Sequence, residues 1–359
     1  MTSQRLNKIG LIDRSKKIRF TWNNKIYEGY KGDTLASALM ANNIKILARS
    51  FKYHRPRGIM SAGVEESGAI ITLGEDDYKD PNVRATTQEL YNNLTASGQN
   101  AFPNVNFDLG SINNLFSNFL SAGFYYKTFM GLPPFEWGKG TKIWMFYEKF
   151  IRKAAGMGSA SRKPDPDVYE HAHDFCDVLI VGSGPSGIAS AIAAAENGLD
   201  VILAEQDYEL GGNILSKSNI NKEKEILKLK KLGVRVMLRT TVFGLYDHSV
   251  AGLIERISDH KSDKSKNKPR QRFWITRSKH TILATGALER HIAFGNNDIP
   301  GIMTVNAAGI YLNRFGILPG KKIIISTNND SAYDTALDLL NAGAEVSLLD
   351  SRSNVEESI

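Results

Sequence analysis

Asp177-Val178-Leu179-Ile180-Val181-Gly182-Ser183-Gly184-Pro185-Ser186-Gly187, followed by an apolar helical stretch and then Val201-Ile202-Leu203-Ala204-Glu205, is the part of the chain that decides its fold. A buried strand runs into a glycine turn, a helix starts at once, and an acid closes the next strand. That order builds a dinucleotide site, which a bare glycine pattern does not. Gly182 permits the tight turn, Gly184 removes the side chain where a pyrophosphate approaches the backbone, and Gly187 lets the helix pack against its strand. Ser183, Pro185 and Ser186 complete the turn, and the helix aims its free N–H groups and positive dipole end at the phosphates. Glu205 stands where a carboxylate can accept both ribose hydroxyls and repel a 2′-phosphate, which disfavours NADP. The expected ligand carries an ADP half, as NAD and FAD both do.

At 359 residues, 42% hydrophobic and 23% charged, the chain has room for about two globular domains. The formal charge is +7, yet the densest basic run (Lys261, Lys264, Lys266, Lys268, Arg270, Arg272) reaches no aromatic until Phe273. It reads as a solvated hairpin loop between Ile254–Ile257 and Phe273–Thr276, and no nucleic-acid partner is expected. The N-terminus lacks the apolar core of a signal peptide, and the Val178–Ala195 stretch is broken by Gly, Ser and Pro. No membrane association is expected, and the localisation read from these features is cytoplasmic. The single cysteine, Cys176, allows no internal disulfide, no Cys-x-x-Cys redox pair and no cysteine-ligated cluster. His171 and His173 lie near no cluster of carboxylates or thiols and are read as surface residues, so no metal site is expected.

The fold class expected is α/β: a ferredoxin-like β-grasp domain without an iron–sulfur cluster, then a Rossmann-type FAD/NAD(P)-binding domain cut short within its second βα unit. In residues 1–95, Lys17–Trp22 and Lys25–Tyr30 form a hairpin about Asn23-Asn24, a pair suited to positive φ. Asp33 or Thr34 caps a helix over Leu35–Asn42, and Ala69–Leu73 and Asn82–Thr87 supply further strands. Ser50–Glu66 lies where a ferredoxin carries its cysteine loop but has none of those ligands. Within it His54, Arg55 and Arg57 form a basic patch that suits a flavin phosphate, an acidic partner or plain solvation. Residues 96–166 are an aromatic-rich connector, with Phe119, Phe124, Tyr125, Tyr126, Phe129 and Trp137 among its rings, read as either a subunit interface or an intrachain core.

Residues 167–359 form the dinucleotide-binding domain. Gly212 and Asn213 belong to a loop placed to cover the pyrophosphate, Val242 follows the third strand where an adenine would sit, and Thr285-Gly286 makes a small-residue turn over the dinucleotide. A second βα unit opens at Lys321–Thr327, but its turn Ser326–Ala332 lacks glycine and carries Asp330, so a second nucleotide is not expected there. The chain stops two strands into that unit, which suggests a piece of a longer polypeptide.

Five blocks carry a family resemblance: Ser50–Glu66, Ala122–Met130, Ile151–Gly158, Asp177–Gly187 and Ile282–His291. Together they resemble the α subunits of heterotetrameric, tetrahydrofolate-linked sarcosine oxidases. Ser61, Gly63 and Val64 stand where related opine and cyanide-forming oxidoreductases have cysteines. The resemblance implies NAD in this Rossmann domain, FAD on a β subunit, FMN near the α/β interface, and γ and δ subunits as further partners. It implies oxidation of sarcosine to glycine, with hydrogen peroxide and 5,10-methylenetetrahydrofolate as the other products. Tetrahydrofolate would act in a C-terminal part of the α subunit that is missing here, so the chain alone is expected to be inactive.

Carried onto this chain, the NAD contacts fall on Gly182, Gly184, Ser186 and Gly187 at the phosphates, Glu205 and Gln206 at the ribose, Asn213 in the covering loop and Val242 at the adenine. The Leu-Asp-Glu-Arg run common after this strand reads Leu203-Ala204-Glu205-Gln206, with the arginine replaced. Neither reading assigns catalytic residues. Two rivals stand beside this one: a freestanding FAD-dependent NADH oxidoreductase, and a non-catalytic scaffold with structural NAD.

Overall fold

Alternating apolar residues in Asp13–Trp22 (β1) put Ile18, Phe20 and Trp22 on one buried face. The strand returns as Lys25–Lys31 (β2) through Asn23 and Asn24, whose φ values of 46° and 63° are those of a tight hairpin turn. These observations come from a computed structural model, which describes residues 4–118, 145–146, 148–150, 152, 158–217, 223–262 and 268–353. Thr34 caps the helix Leu35–Ala41 (α1), its hydroxyl accepting from Ser37 N. Leu35, Ala38 and Leu39 are wholly buried against the sheet.

Three more strands complete this half: Ile70–Leu73 (β3), Asp80–Arg84 (β4) and Leu94–Gly98 (β5). The sheet order is β2-β1-β5-β3-β4, with β5 parallel to β1 through Phe20↔Leu94 and Trp22↔Ala96. One helix packed on such a sheet is the β-grasp arrangement expected. Its central strand, however, runs past residue 95 to Gly98, where the connector was expected to have begun. The aromatic rings expected at an interface between Phe119 and Trp137 lie outside the described residues.

The second half is built on Tyr169–Val181 (β6), the helix Pro185–Glu196 (α2) and Val201–Ala204 (β7). All four residues of β7 are buried, as befits a strand covered on both faces. Glu223–Lys231 (α3) leads to Arg235–Met237 (β8), and a meander of Thr240–Tyr246 (β9), Val250–Arg256 (β10) and Gln271–Leu283 (β11) follows. The order β8-β7-β6-β11-β10-β9 places β6 between two parallel neighbours. Ile188, Ala191 and Ile192 of α2 recur at helical spacing and bury against Val178, Ile180, Val201 and Leu203. A helix at Val305–Asn313 (α4) precedes the second unit, Lys322–Thr327 (β12), Ser331–Asn341 (α5) and Glu345–Asp350 (β13). Among the described residues no helix is long and apolar enough to cross a membrane.

The two halves share a core. Ala307 and Tyr311 of α4, with Phe315 and Ile317, belong to the same buried cluster as Phe20, Leu39 and Leu94. The Ser50–Glu66 loop lies at this junction. Met60 O accepts from Thr304 N at 2.9 Å, and Tyr311 donates its phenolic hydroxyl to Ser61 O at 2.9 Å. The loop is folded around the buried carboxylate of Glu66, which accepts from the backbone N–H groups of Met60, Ser61, Gly68 and Ala69 at 2.5–2.9 Å.

The basic patch is absorbed inside the chain. Arg55 grips Asp298 through Nε and Nη2 at 2.8 and 2.7 Å, and Arg57 donates to the same carboxylate and to Asp298 O. His54 Nδ1 meets Asp108 Oδ2 at 2.7 Å. The Arg55 hydrogen bonds, then those of Arg57, hold the Asp298 carboxyl well below the usual carboxylate range.

Asp298→Asn leaves both arginines without their carboxylate and is expected to cost about 1–3 kcal/mol at neutral pH. A lowered folded pKa means that the folded state binds fewer protons than the unfolded one, so this stabilisation falls as acid is added. Urea midpoints of wild type and variant should therefore differ at pH 7 and converge as pH drops below about 4. A constant difference down to pH 2.5 contradicts the clamp.

Candidate dinucleotide site

The glycine turn has two crowded positions and one open one. Gly182 has φ +99° and lies so close to β11 that a Cβ would sit 2.4 Å from Ala284 O. A Cβ on Gly187 would lie 1.9 Å from Gly182 O, so only glycine lets α2 approach the turn. Gly184 differs from both. Its φ of −64° and ψ of 179° suit any residue, and a Cβ there would meet nothing within 4 Å. The space in front of Gly184 is an open cradle that a side chain would fill. Gly184 is the N-cap of α2 and Pro185, whose ring has no N–H to satisfy, occupies its first turn. The first hydrogen bond of the helix runs from Ile188 N to Gly184 O, so Ser186 and Gly187 N–H are the donors left at the N-terminus, beside that cradle.

Glu205 lies at the end of β7 with 8% of its surface exposed, and its carboxylate ties the surrounding loops together. Oε2 accepts from Ser183 N at 2.8 Å and from Ser183 Oγ at 2.6 Å, while Oε1 accepts from Asp207 N at 2.8 Å. Gly211 N donates to Ser183 O at 3.1 Å, joining the covering loop to the turn. A Cβ on Gly212 would lie 3.0 Å from Gly184 Cα, so this loop closes directly on the cradle. Asn213 is exposed in the short helical turn that follows.

The remaining expected residues are placed less uniformly. Thr285 and Gly286 are exposed just past β11, next to Ala284 and hence beside Gly182. Val242 lies in β9, two residues beyond Thr240, whose N–H donates to Glu205 O. Its side chain packs among Ala251, Leu253 and Trp274, and β9 is an edge strand, with one side of its backbone unpaired. Gln206 is exposed, and its carbonyl accepts from Arg256 Nη2 at 2.7 Å.

The segment after Glu205 is held from the far side by residues that carry no sequence motif. Arg314, 8% exposed, takes Asp207 in a two-pronged bond at 2.6 and 2.9 Å. The Tyr208 hydroxyl donates to Gly32 O at 2.6 Å, with the Arg314 guanidinium 4.7 Å from its ring centroid. Arg239 completes the junction by gripping Glu89 of the first half at 2.6 and 2.8 Å. The turn of the second βα unit is instead closed by its own side chains: Thr327 bonds to Asn329 and Arg352 to Asp330.

Three comparisons bear on this geometry. Residues 177–277 match the family described as FAD dependent oxidoreductase, and residues 15–101 match the 2Fe-2S iron-sulfur cluster binding domain. The chain is 44% identical to sarcosine oxidase subunit alpha of Rhizobium meliloti (strain 1021), over 98% of this chain and 36% of that protein. Against the same subunit of Corynebacterium sp. (strain P-1) the identity is 32%, over 96% of this chain and 31% of that protein. The chain thus spans about a third of the length of these relatives. In three dimensions it resembles L-proline dehydrogenase from P. horikoshii, with TM-score 0.61 and 19% identity over 99% of this chain and 57% of that one, which shows a shared fold.

The match over 15–101 corrects one expectation. A domain with no iron–sulfur cluster was inferred from missing thiolates, but residues 15–101 match a 2Fe-2S family. The donor set of this chain does not fit such a group by itself. Residues 15–101 contain no cysteine, and the single thiol, Cys176, is buried in β6 of the other half.

Burial pushes the Cys176 thiol up to about 11. At pH 8 the native chain is therefore expected to resist iodoacetamide and to react fully once unfolded in urea. Rapid alkylation of the native chain would contradict this placement.

Proposed function

The chain belongs to the sarcosine oxidase α-subunit family along the third of those proteins that it spans, and from that premise we propose that it is the dinucleotide-holding part of such a subunit. The observation that carries this reading is the open cradle in front of Gly184, bounded by the α2 N-terminus, the Gly211-Gly212 loop and the Glu205 carboxylate. Ser186 and Gly187 N–H take the diphosphate, Glu205 takes the adenosine ribose, and Thr285-Gly286 borders the exit toward the rest of the ligand. The bound molecule is NAD, as the family resemblance implies, and the negative charge of Glu205 works against a 2′-phosphate.

A bound dinucleotide brings a ring able to carry a hydride; this chain binds, orients and shields the ADP half. The whole subunit, with flavin-bearing and further subunits in a cytoplasmic complex, would oxidise sarcosine to glycine with tetrahydrofolate as one-carbon acceptor. The chain alone would not turn over. A second reading, FAD on the same fingerprint, is favoured by the family match over 177–277. Both ligands present the same ADP half, so the cradle accommodates either.

Identifying the nucleotide released on denaturing the purified chain separates the two: colourless NAD supports the first reading and yellow FAD the second. Gly184→Val should remove the nucleotide, lowering affinity at least about 100-fold, because the new side chain occupies the phosphate cradle. Its backbone angles suit valine, so the unfolding free energy should stay within about 1 kcal/mol of wild type. Undiminished nucleotide content in the variant would show that the site lies elsewhere.

A further inference from the structure

The Glu205 carboxylate is more heavily engaged than a ribose-gripping acid needs to be. Ionised, it offers about four acceptor positions. Three are taken: two on Oε2, by Ser183 N and Ser183 Oγ, and one on Oε1, by Asp207 N. Gripping a vicinal diol with both oxygens needs two free positions, one on each. Only one remains, and it is on Oε1.

None of the three bonds is loose. Ser183 is wholly buried, and its Oγ also accepts from Gly211 N at 3.2 Å. Swinging the hydroxyl away would leave its own buried O–H without an acceptor, while Gly211 N would keep only its bond to Ser183 O at 3.1 Å. The Ser183 N–H is fixed because Gly182 N donates to Ala204 O at 2.8 Å, pinning the turn to the end of β7. Asp207 N is fixed by the Arg314 clamp on its side chain and by the bond from Arg239 N to Asp207 O at 2.9 Å.

Resting on the dinucleotide reading above, we propose that Ser183 is a specificity-determining residue: by occupying Oε2 it limits Glu205 to one hydroxyl of the adenosine ribose. The second hydroxyl of the ligand is left without a carboxylate partner. The site therefore discriminates strongly against loss of one ribose hydroxyl and hardly at all against loss of the other. Ser183→Ala removes the hydroxyl from Oε2, opens the second position and restores a two-handed grip.

The test uses ADP, the half common to NAD and FAD, with 2′-deoxy-ADP and 3′-deoxy-ADP, titrated calorimetrically into the nucleotide-free chain and its Ser183→Ala variant. For the wild type, one analogue should bind at least about 10-fold more weakly than ADP while the other stays within about 2-fold. In Ser183→Ala both analogues should fall by about 10-fold or more. A purely structural role for Ser183 would weaken all three ligands together and leave their ratios unchanged, which overturns the proposal. Equal losses for both analogues in the wild type also overturn it. If ADP itself does not bind the wild type, the dinucleotide reading fails and takes this inference with it, an outcome distinct from bound ADP with the wrong ratios. Matching thermal melts of the two proteins would show that the comparison is between folded chains.

Discussion

Three hydrogen bonds on one carboxylate hold the nucleotide-binding half in register. Glu205 draws the glycine turn, the end of β7 and the residue after it to a single point, and Ser183 passes the connection on to the Gly211 loop. A buried charge of this kind is tolerable only when it is well supplied with donors, and here those donors are the backbone of the cradle itself. The arrangement explains why the glycine turn, the segment after β7 and the Gly211 loop lie close together around Gly184. It also requires glycine at 187, since any Cβ would push α2 off Gly182 O and spread the turn that carries Ser183.

The same segment joins the site to the β-grasp half. Asp207 and Tyr208 lie two and three residues beyond Glu205, and both are held by partners that anchor elsewhere: Arg314 next to α4, and Gly32 just past β2. Because α4 shares its hydrophobic core with the β-grasp sheet, the two halves are packed as one body at this junction. The Arg55 and Arg57 clamp on Asp298 and the Arg239 bond to Glu89 add polar contacts around that core. Apolar burial supplies most of the driving force in such a junction, and the ion pairs fix its geometry.

What the amino-acid sequence reveals here divides along physical lines. Local chemistry was legible: Asn23-Asn24 needs positive φ, Thr34 can cap a helix, and Gly182 and Gly187 each answer a contact made within a few residues or across one strand. Contacts between distant segments were not. The central strand Leu94–Gly98 reads as an unremarkable Leu-Thr-Ala-Ser-Gly, and its place is set by parallel pairing with a strand some seventy residues earlier. Arg314, Arg239 and Asp298 carry no motif, because a surface arginine and an interdomain clamp look the same in one dimension. Glu66 reads as an ordinary loop acid, because the four backbone amides that converge on it are brought there only by the fold. The ferredoxin-like fold of the first half was legible from its strands and helix, whereas the expectation of no iron–sulfur cluster, drawn from missing cysteines, is overturned by the match to a 2Fe-2S family.

The central claim is geometric, and a crystal structure of the chain grown with NAD tests it most directly. The diphosphate should lie in front of Gly184, within hydrogen-bonding distance of Ser186 and Gly187 N–H, with the adenosine ribose on the Glu205 carboxylate. Nucleotide density on another surface, or a cradle in front of Gly184 that stays empty at saturating NAD, would contradict the account.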